Sequence, residues 1–277
     1  MTPPSGIARV LIVAGSDSGG GAGIQADIRT VTMLGGHPMT AITAITAQNT
    51  LGVQAVHPVP VDIVVAQMCS VIDDLGVDAV KIGMIGSADI AHAVADMLET
   101  VAPCPVVFDP VMIATSGAVL ADEATITAFA RLMRRATLVT PNLPELAALG
   151  GEAAVLSHGA GLLAKGGHGE GHRIEDRLIT GDGETVWTHD RIDTVHSHGT
   201  GCTLASGIAT GLAQGMTLSD ACDRAISYVQ SALAAAPNLG SGHGPMGHAL
   251  ATTPYYHLLA ASDRDGWDAA AFAARWS

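Results

Sequence analysis

Short apolar runs alternate with stretches of helical periodicity along most of the chain. Val10-Leu11-Ile12-Val13-Ala14 is unbroken and ends in glycine, which predicts a buried strand. Ile24, Ile28, Val31 and Leu34 then recur at helical spacing and predict a helix over 23–34. From 39 to 47, Thr alternates with Ile and Ala in the manner of a strand. The same logic predicts helices over 61–75, 90–98 and 122–134, and strands at 79–82, 106–108, 137–140 and 161–164. Two short strands between 177 and 189 flank Gly181-Asp182-Gly183 as a hairpin, and helices near 201–214 and 218–236 follow.

Strands alternating with helices imply right-handed βαβ units and an α/β fold with a mostly parallel sheet. No repeat or linker interrupts the pattern, so residues 1–277 read as one domain with a core over about 8–248. The polar, Ala-rich tail 251–277 carries no clear element.

Composition sharpens this picture. Hydrophobic residues make up 48% of the chain but aromatics only 3%, so the core must be built from Ala, Val, Ile, Leu and Met. That suits strands buried on both faces. The formal charge of −13 argues against nucleic acid and anionic membranes as partners. A small polar substrate fits better, and an anionic cosubstrate would need a locally built site. Cys69, Cys104, Cys202 and Cys222 are widely spaced and read as reduced thiols. With no apolar stretch of secretory or spanning length, the expected compartment is the cytoplasm.

Candidate chemistry collects where the strands end. Gly15-Ser16-Asp17, Gln48-Asn49, Gly83-Met84, Asp109-Pro110 and Pro141-Asn142 all fall at carboxyl ends, where open parallel sheets bind ligands. The run from Gly15 to Gly23 is either a phosphate cradle without a Walker lysine or a tight turn with packing glycines. Gly199-Thr200-Gly201-Cys202 opens a helix. Its amides form an anion hole for a transferring phosphoryl group, or else a plain helix cap with a small cysteine. In the first case the helix field is expected to lower the Cys202 thiol pKa. Asn142 and Glu145 either hold a hydrated Mg²⁺ or cap the helix that follows them. Lys165, before Gly166-Gly167-His168, is placed to reach a nucleotide phosphate or lies at the surface. The histidine pairs His168/His172 and His196/His198 lie in loops without the helix of a metalloprotease site.

Together these segments resemble the hydroxymethylpyrimidine/phosphomethylpyrimidine kinases of thiamine biosynthesis, a branch of the ribokinase-like superfamily. The resemblance rests on Ala14-Gly15-Ser16-Asp17, Gly21 to Asp27, Thr46-Ala47-Gln48-Asn49-Thr50, Lys81-Ile82-Gly83-Met84 and Asp109-Pro110-Val111-Met112. It continues through Thr140 to Glu145, Lys165 to His168, His198 to Thr203 and Gly242 to Pro245. It implies a three-layer αβα ribokinase-like fold, ATP and Mg²⁺, and phosphorylation of 4-amino-5-hydroxymethyl-2-methylpyrimidine and then of its monophosphate. It also implies a homo-oligomer, a dimer by analogy. By motif, Gly15, Asp27, Gln48 and Met84 are expected in the pyrimidine pocket. Asp109, Asn142 and Lys165 are expected at nucleotide and phosphates, and Glu145 at Mg²⁺, directly or through water. Gly199, Thr200, Gly201 and Cys202 form the catalytic turn, with cysteine where most ribokinase-like enzymes place aspartate, acting as a base or as part of the hole. Thr115 stands where relatives often carry lysine, His196-Ser197 replaces Asn-Thr, and the 146–164 segment is short. On the same fold the alternatives are a pyridoxal or pyridoxine kinase and a non-catalytic binder.

Overall fold

Because the strand segments are apolar at successive positions, each side of the sheet they form must be covered. The computed structural model, which describes residues 6–115, 117–168 and 171–250, shows how this is done. The tail 251–277 lies outside the described residues.

Strand β1 (Arg9–Asp17) leads through a glycine-rich turn into helix α1 (Gly23–Met33), then β2 (His37–Asn49) and β3 (Gly52–Pro58). Helix α2 (Val61–Leu75), β4 (Ala79–Ile82), α3 (Ala88–Thr100), β5 (Val106–Phe108), α4 (Glu123–Arg135) and β6 (Leu138–Val139) follow in alternation. Next come the short helices α5 (Leu143–Ala148) and α6 (Glu152–Leu156), then β7 (Gly161–Ala164). The hairpin β8 (Arg173–Thr180) and β9 (Gly183–Asp190) precedes α7 (Thr200–Ala213) and α8 (Leu218–Ala234).

These strands form one nine-stranded sheet in the order β3-β2-β1-β4-β5-β6-β7-β8-β9. The centre, from β2 to β7, is parallel, while β3, β8 and β9 pair antiparallel at the two edges. The chain leaves β1 first toward β2 and later returns to its other side as β4, so the order reverses beside β1. Ligands are expected at such a reversal.

Alternate residues of each strand feed two cores. Leu11, Val13, Val80, Ile82 and Phe108 pack with Met68, Val94 and Phe129 under α2, α3 and α4. Val10, Ile12, Ala79 and Val107 pack with Val31, Ile208 and Ala225 under α1, α7 and α8. The architecture is therefore three-layered, as expected. Within the second core Lys81 on β4 and Asp27 on α1, both fully buried, pair at 2.8 Å. Ser206 on α7 donates to the same carboxylate at 2.7 Å.

Several boundaries differ from the periodicity. β1 runs on to Asp17, and its register with β2 shifts between Ala14 and Ser16. A bulge of this kind re-aims side chains, here beside the cleft described below. The edge strand β3 had no apolar alternation to announce it, since five of its seven residues are exposed. The hairpin strands are longer than expected, extending over 173–190. The short 146–164 segment retains α6 and a β7 that pairs with both neighbours.

Candidate active site

A cleft of about 920 Å³ runs across the carboxyl ends of the central strands. Gly15, Gln48, Met84, Asp109, Asn142, Glu145, Lys165 and the whole Gly199–Cys202 turn line it.

At one end, Gly15 lies so close to Met84 that a Cβ there would sit 2.9 Å from Sδ. The amide of Gln48 closes on Nε2 of His198 at 2.9 Å, and that nitrogen also lies 3.1 Å from Asp17 Oδ2. Nδ1 of His198 is 3.1 Å from the Thr115 hydroxyl, which ties the loop after β5 to the turn before α7. Asp17 and His198 fall within motifs noted in the sequence, but neither was given a role in the site. Asp17 accepts backbone N–H groups from Gly19, Gly21 and Ala22 at 2.8–2.9 Å. These bonds favour the tight-turn alternative for the glycine run over a phosphate cradle, because the Gly19, Gly21 and Ala22 amides are committed to a carboxylate. Burial opposes the Asp17 charge, but His198 and the Ala22 and Gly19 amides outweigh it and hold the carboxyl below its ordinary value. An aspartate opening a glycine-rich turn was the available signal, since Asp side chains commonly bond amides a few residues on.

Asp27 departs from expectation. It does not line the cleft but sits fully buried beneath it, bonded to Lys81 and Ser206. A carboxylate already holding an ammonium and a hydroxyl has little left to offer a pyrimidine amino group. Burial works against the Lys81 charge, yet Asp27, with Cys202 and Asp109 near it, pushes the ammonium pKa up.

The centre of the cleft is built on the first turn of α7. Gly199 has φ +88°, and a side chain there would collide with the Gly21 carbonyl oxygen. Glycine is thus required for the chain to turn into the helix. A Cβ on Gly201 would meet Lys165 Nζ at 3.2 Å and Asp109 Oδ2 at 3.3 Å. The Gly201 backbone, in the first turn where helix amides have no intrahelical acceptors, therefore packs beside this charged pair. Lys165 Nζ bonds Asp109 Oδ1 at 2.7 Å, and Thr140 donates to that oxygen at 3.2 Å. Burial lowers the affinity of Lys165 for its proton, but Asp109 and Glu145 outweigh it and keep the ammonium charged.

The Cys202 thiol corrects a second expectation. Enclosure by protein pushes its pKa up to about 12; nearby Lys81 and the Gly23 N–H act against this, while Asp27 and Asp109 reinforce it. Desolvation exceeds the field of the helix end, so the sulfur keeps its proton at neutral pH.

Asn142 and Glu145 form a complete capping box on α5, with Asn142 Oδ1 accepting from Glu145 N and Glu145 Oε2 from Asn142 N, both at 2.9 Å. The cap does not exclude a site, since both residues also face the cleft. Burial, and then the charge of Asp109, push the Glu145 carboxyl up, with Lys165 only partly offsetting them. Two crowded carboxylates against one paired lysine are ill suited to a polyphosphate alone. They are well suited to one carrying a hydrated Mg²⁺, which takes oxygen donors and keeps most of its waters.

Beyond Lys165 the cleft continues between the β8–β9 hairpin and α8, with Ile174, Ile226, Val229 and Leu233 as an apolar wall and Asp176, His189 and Gln230 as polar members. No spacing along the chain announces this arm, because its residues are far apart and meet only through the hairpin.

Residues 17–247 match the family model described as phosphomethylpyrimidine kinase. The hydroxymethylpyrimidine/phosphomethylpyrimidine kinase of Streptomyces coelicolor is 46% identical over 90% of this chain and 97% of its own length. The crystal structure of phosphomethylpyrimidine kinase from Clostridium difficile superposes with a TM-score of 0.72 at 35% identity, covering 82% of this chain and 99% of that one. Pyridoxal kinase from Staphylococcus aureus in complex with ADP superposes with a TM-score of 0.82 at 30% identity, covering 90% and 96%.

Proposed function

The chain belongs to the phosphomethylpyrimidine kinase family, and from that membership we propose that it phosphorylates 4-amino-5-hydroxymethyl-2-methylpyrimidine with ATP, then phosphorylates the monophosphate to the diphosphate used in thiamine biosynthesis. One observation carries the reading. The Gly199–Cys202 turn lines the same cleft as Gln48 and Met84 and as the Lys165–Asp109 pair, and a Cβ on Gly201 would meet that pair.

The residues divide the work by position. Gln48 offers both a donor and an acceptor, the complement of an aminopyrimidine edge. Met84 and Gly15 form the apolar floor on which a flat ring rests. Asp17, His198 and Thr115 fix the wall that faces the reacting group. Lys165 supplies positive charge to phosphate oxygens, and the first-turn amides of α7 point at charge gathering on the transferred group. Phosphoryl transfer passes through a loose transition state, so alignment and charge stabilisation count for more than early proton removal. A Cys202 thiol that keeps its proton is consistent with this: it shapes the hole and offers a weak S–H donor. Asp109 and Glu145, with Asn142 beside them, would hold Mg²⁺ through water. That ion, when bound, neutralises charge on the phosphate oxygens.

No helix among the described residues is long and apolar enough to cross a membrane. A cytoplasmic homodimer is the assembly the reading assigns.

ADP release tests the proposal. Release that depends on the pyrimidine alcohol, and separately on its monophosphate, is expected. The likeness to a pyridoxal kinase at a TM-score of 0.82 gives pyridoxal a place in the same assay as a weaker acceptor. Release with pyridoxal alone would favour the vitamin B6 reading, and no release with any of the three would leave a non-catalytic binder.

A further inference from the structure

The far arm of the cleft holds three polar side chains that phosphoryl transfer does not use. Asp176 projects from β8, His189 from the adjacent β9, and Gln230 from α8. His189 Nε2 lies 3.1 Å from Asp176 Oδ2, and His189 Nδ1 lies 2.9 Å from Gln230 Nε2. The second carboxylate oxygen, Asp176 Oδ1, accepts the backbone N–H of Gly166 at 3.0 Å.

Around a neutral His189 imidazole the proton placement follows from the partners on either side. An ionised carboxylate only accepts, so the neutral imidazole carries its hydrogen on Nε2 and donates it to Asp176. Nδ1 is then an acceptor, which the Gln230 amide NH₂ satisfies. The chain ends on Gly166, the residue that follows Lys165. The turn there is tightly constrained. A side chain at Gly166 would collide with the Glu175 carbonyl of β8. Lys165 N bonds Pro141 O at 3.1 Å, and Arg191 Nη1 donates to Gly167 O at 2.8 Å.

A buried carboxylate is an odd lining for an arm that receives a polyanion, unless its charge is already committed. Here it is committed to an imidazole N–H and a backbone N–H. We propose that Asp176, oriented by His189 and Gln230, is a positioning residue that fixes the Gly166 peptide and thereby aims Lys165 at the nucleotide phosphates. The inference rests on the kinase reading above. It assigns the β8–β9 hairpin and α8 a part in catalysis without contact to the transferred group.

The test compares Asp176→Ala, Asp176→Asn and Gln230→Leu by steady-state kinetics in both substrates. Loss of the anchor in Asp176→Ala raises the KM for MgATP by about tenfold and lowers kcat, while the KM for the pyrimidine stays unchanged. Asp176→Asn restores function to within about threefold, because its Oδ1 still accepts from Gly166 while the rest of the chain inverts. Its NH₂ then donates to Nε2, and Nδ1–H donates to the turned Gln230 amide. ¹⁵N NMR of His189 reads this directly as a change from the Nε2–H to the Nδ1–H tautomer. Gln230→Leu, at the accessible end, shifts the MgATP KM in the same direction by less, and serves if Asp176→Ala fails to fold. An unchanged MgATP KM in folded Asp176→Ala would overturn the inference, as would an Asp176→Asn variant as impaired as the alanine. Wild-type protein that releases no ADP would instead overturn the kinase reading on which it rests.

Discussion

Cys202 is the residue whose chemistry changed most between sequence and structure. At the start of a helix beside two glycines, it invited a lowered thiol pKa. Half-buried at the wall of the cleft, its thiol is desolvated by the surrounding protein and pushed up to about 12. At pH 8 Cys202 should therefore resist iodoacetamide under conditions that label an ordinary exposed cysteine, as followed by peptide mass spectrometry. A sulfur that keeps its proton contributes alike to both phosphorylations. Cys202→Ala should reduce kcat for the alcohol and for the monophosphate by the same factor, about tenfold for one weak donor and the packing around it. A loss confined to the alcohol would return Cys202 to the role of base. Gly201 makes a harder test of the turn. Its missing Cβ would lie 3.2 Å from Lys165 Nζ and 3.3 Å from Asp109 Oδ2. Gly201→Ala should displace that pair and lower kcat by about a hundredfold, with thermal stability little changed.

At the scale of elements, α1, β4 and α7 are joined beneath the cleft by Lys81, Asp27 and Ser206. The ammonium and carboxylate are both wholly excluded from water. Lys81→Met strands a buried carboxylate and should cost about 3–5 kcal/mol in urea unfolding. Lys81→Met with Asp27→Leu removes both charges and should recover most of that loss. A double variant as unstable as the single would show that the pair stabilises the fold by more than mutual compensation. Elements were also where the sequence spoke most clearly. Runs such as Val10 to Ala14 and Val106 to Phe108 are apolar throughout because both faces are covered, and they showed their strands directly. The central strand-end motifs were legible for the same reason, since they follow such runs. β3 was not, because an exposed edge strand carries no burial pattern. Asp27 was misplaced because its partner Lys81 is remote in sequence, and no spacing rule links them. The Asp176 arm was silent because three elements must assemble before its residues meet.

The whole molecule carries a formal charge of −13 and yet must admit a polyanionic nucleotide. Lys165 and Arg191 are the cations among the cleft-lining residues, and Lys165 is already paired with Asp109. Long-range repulsion should therefore oppose MgATP more strongly at low salt than at physiological ionic strength. Raising the salt from about 10 to about 150 mM should lower the KM for MgATP, since the Debye length falls below the reach of the peripheral carboxylates. A KM that rises over this range would mean that local attraction at Lys165 outweighs the field of the molecule. The most direct measurement of the central claim is a ³¹P NMR time course with the pyrimidine alcohol and MgATP. A monophosphate singlet should appear, then give way to the paired doublets of a pyrimidine diphosphate as ADP accumulates. Consumption of ATP without any new pyrimidine phosphate signal, or no consumption at all, would contradict the assignment.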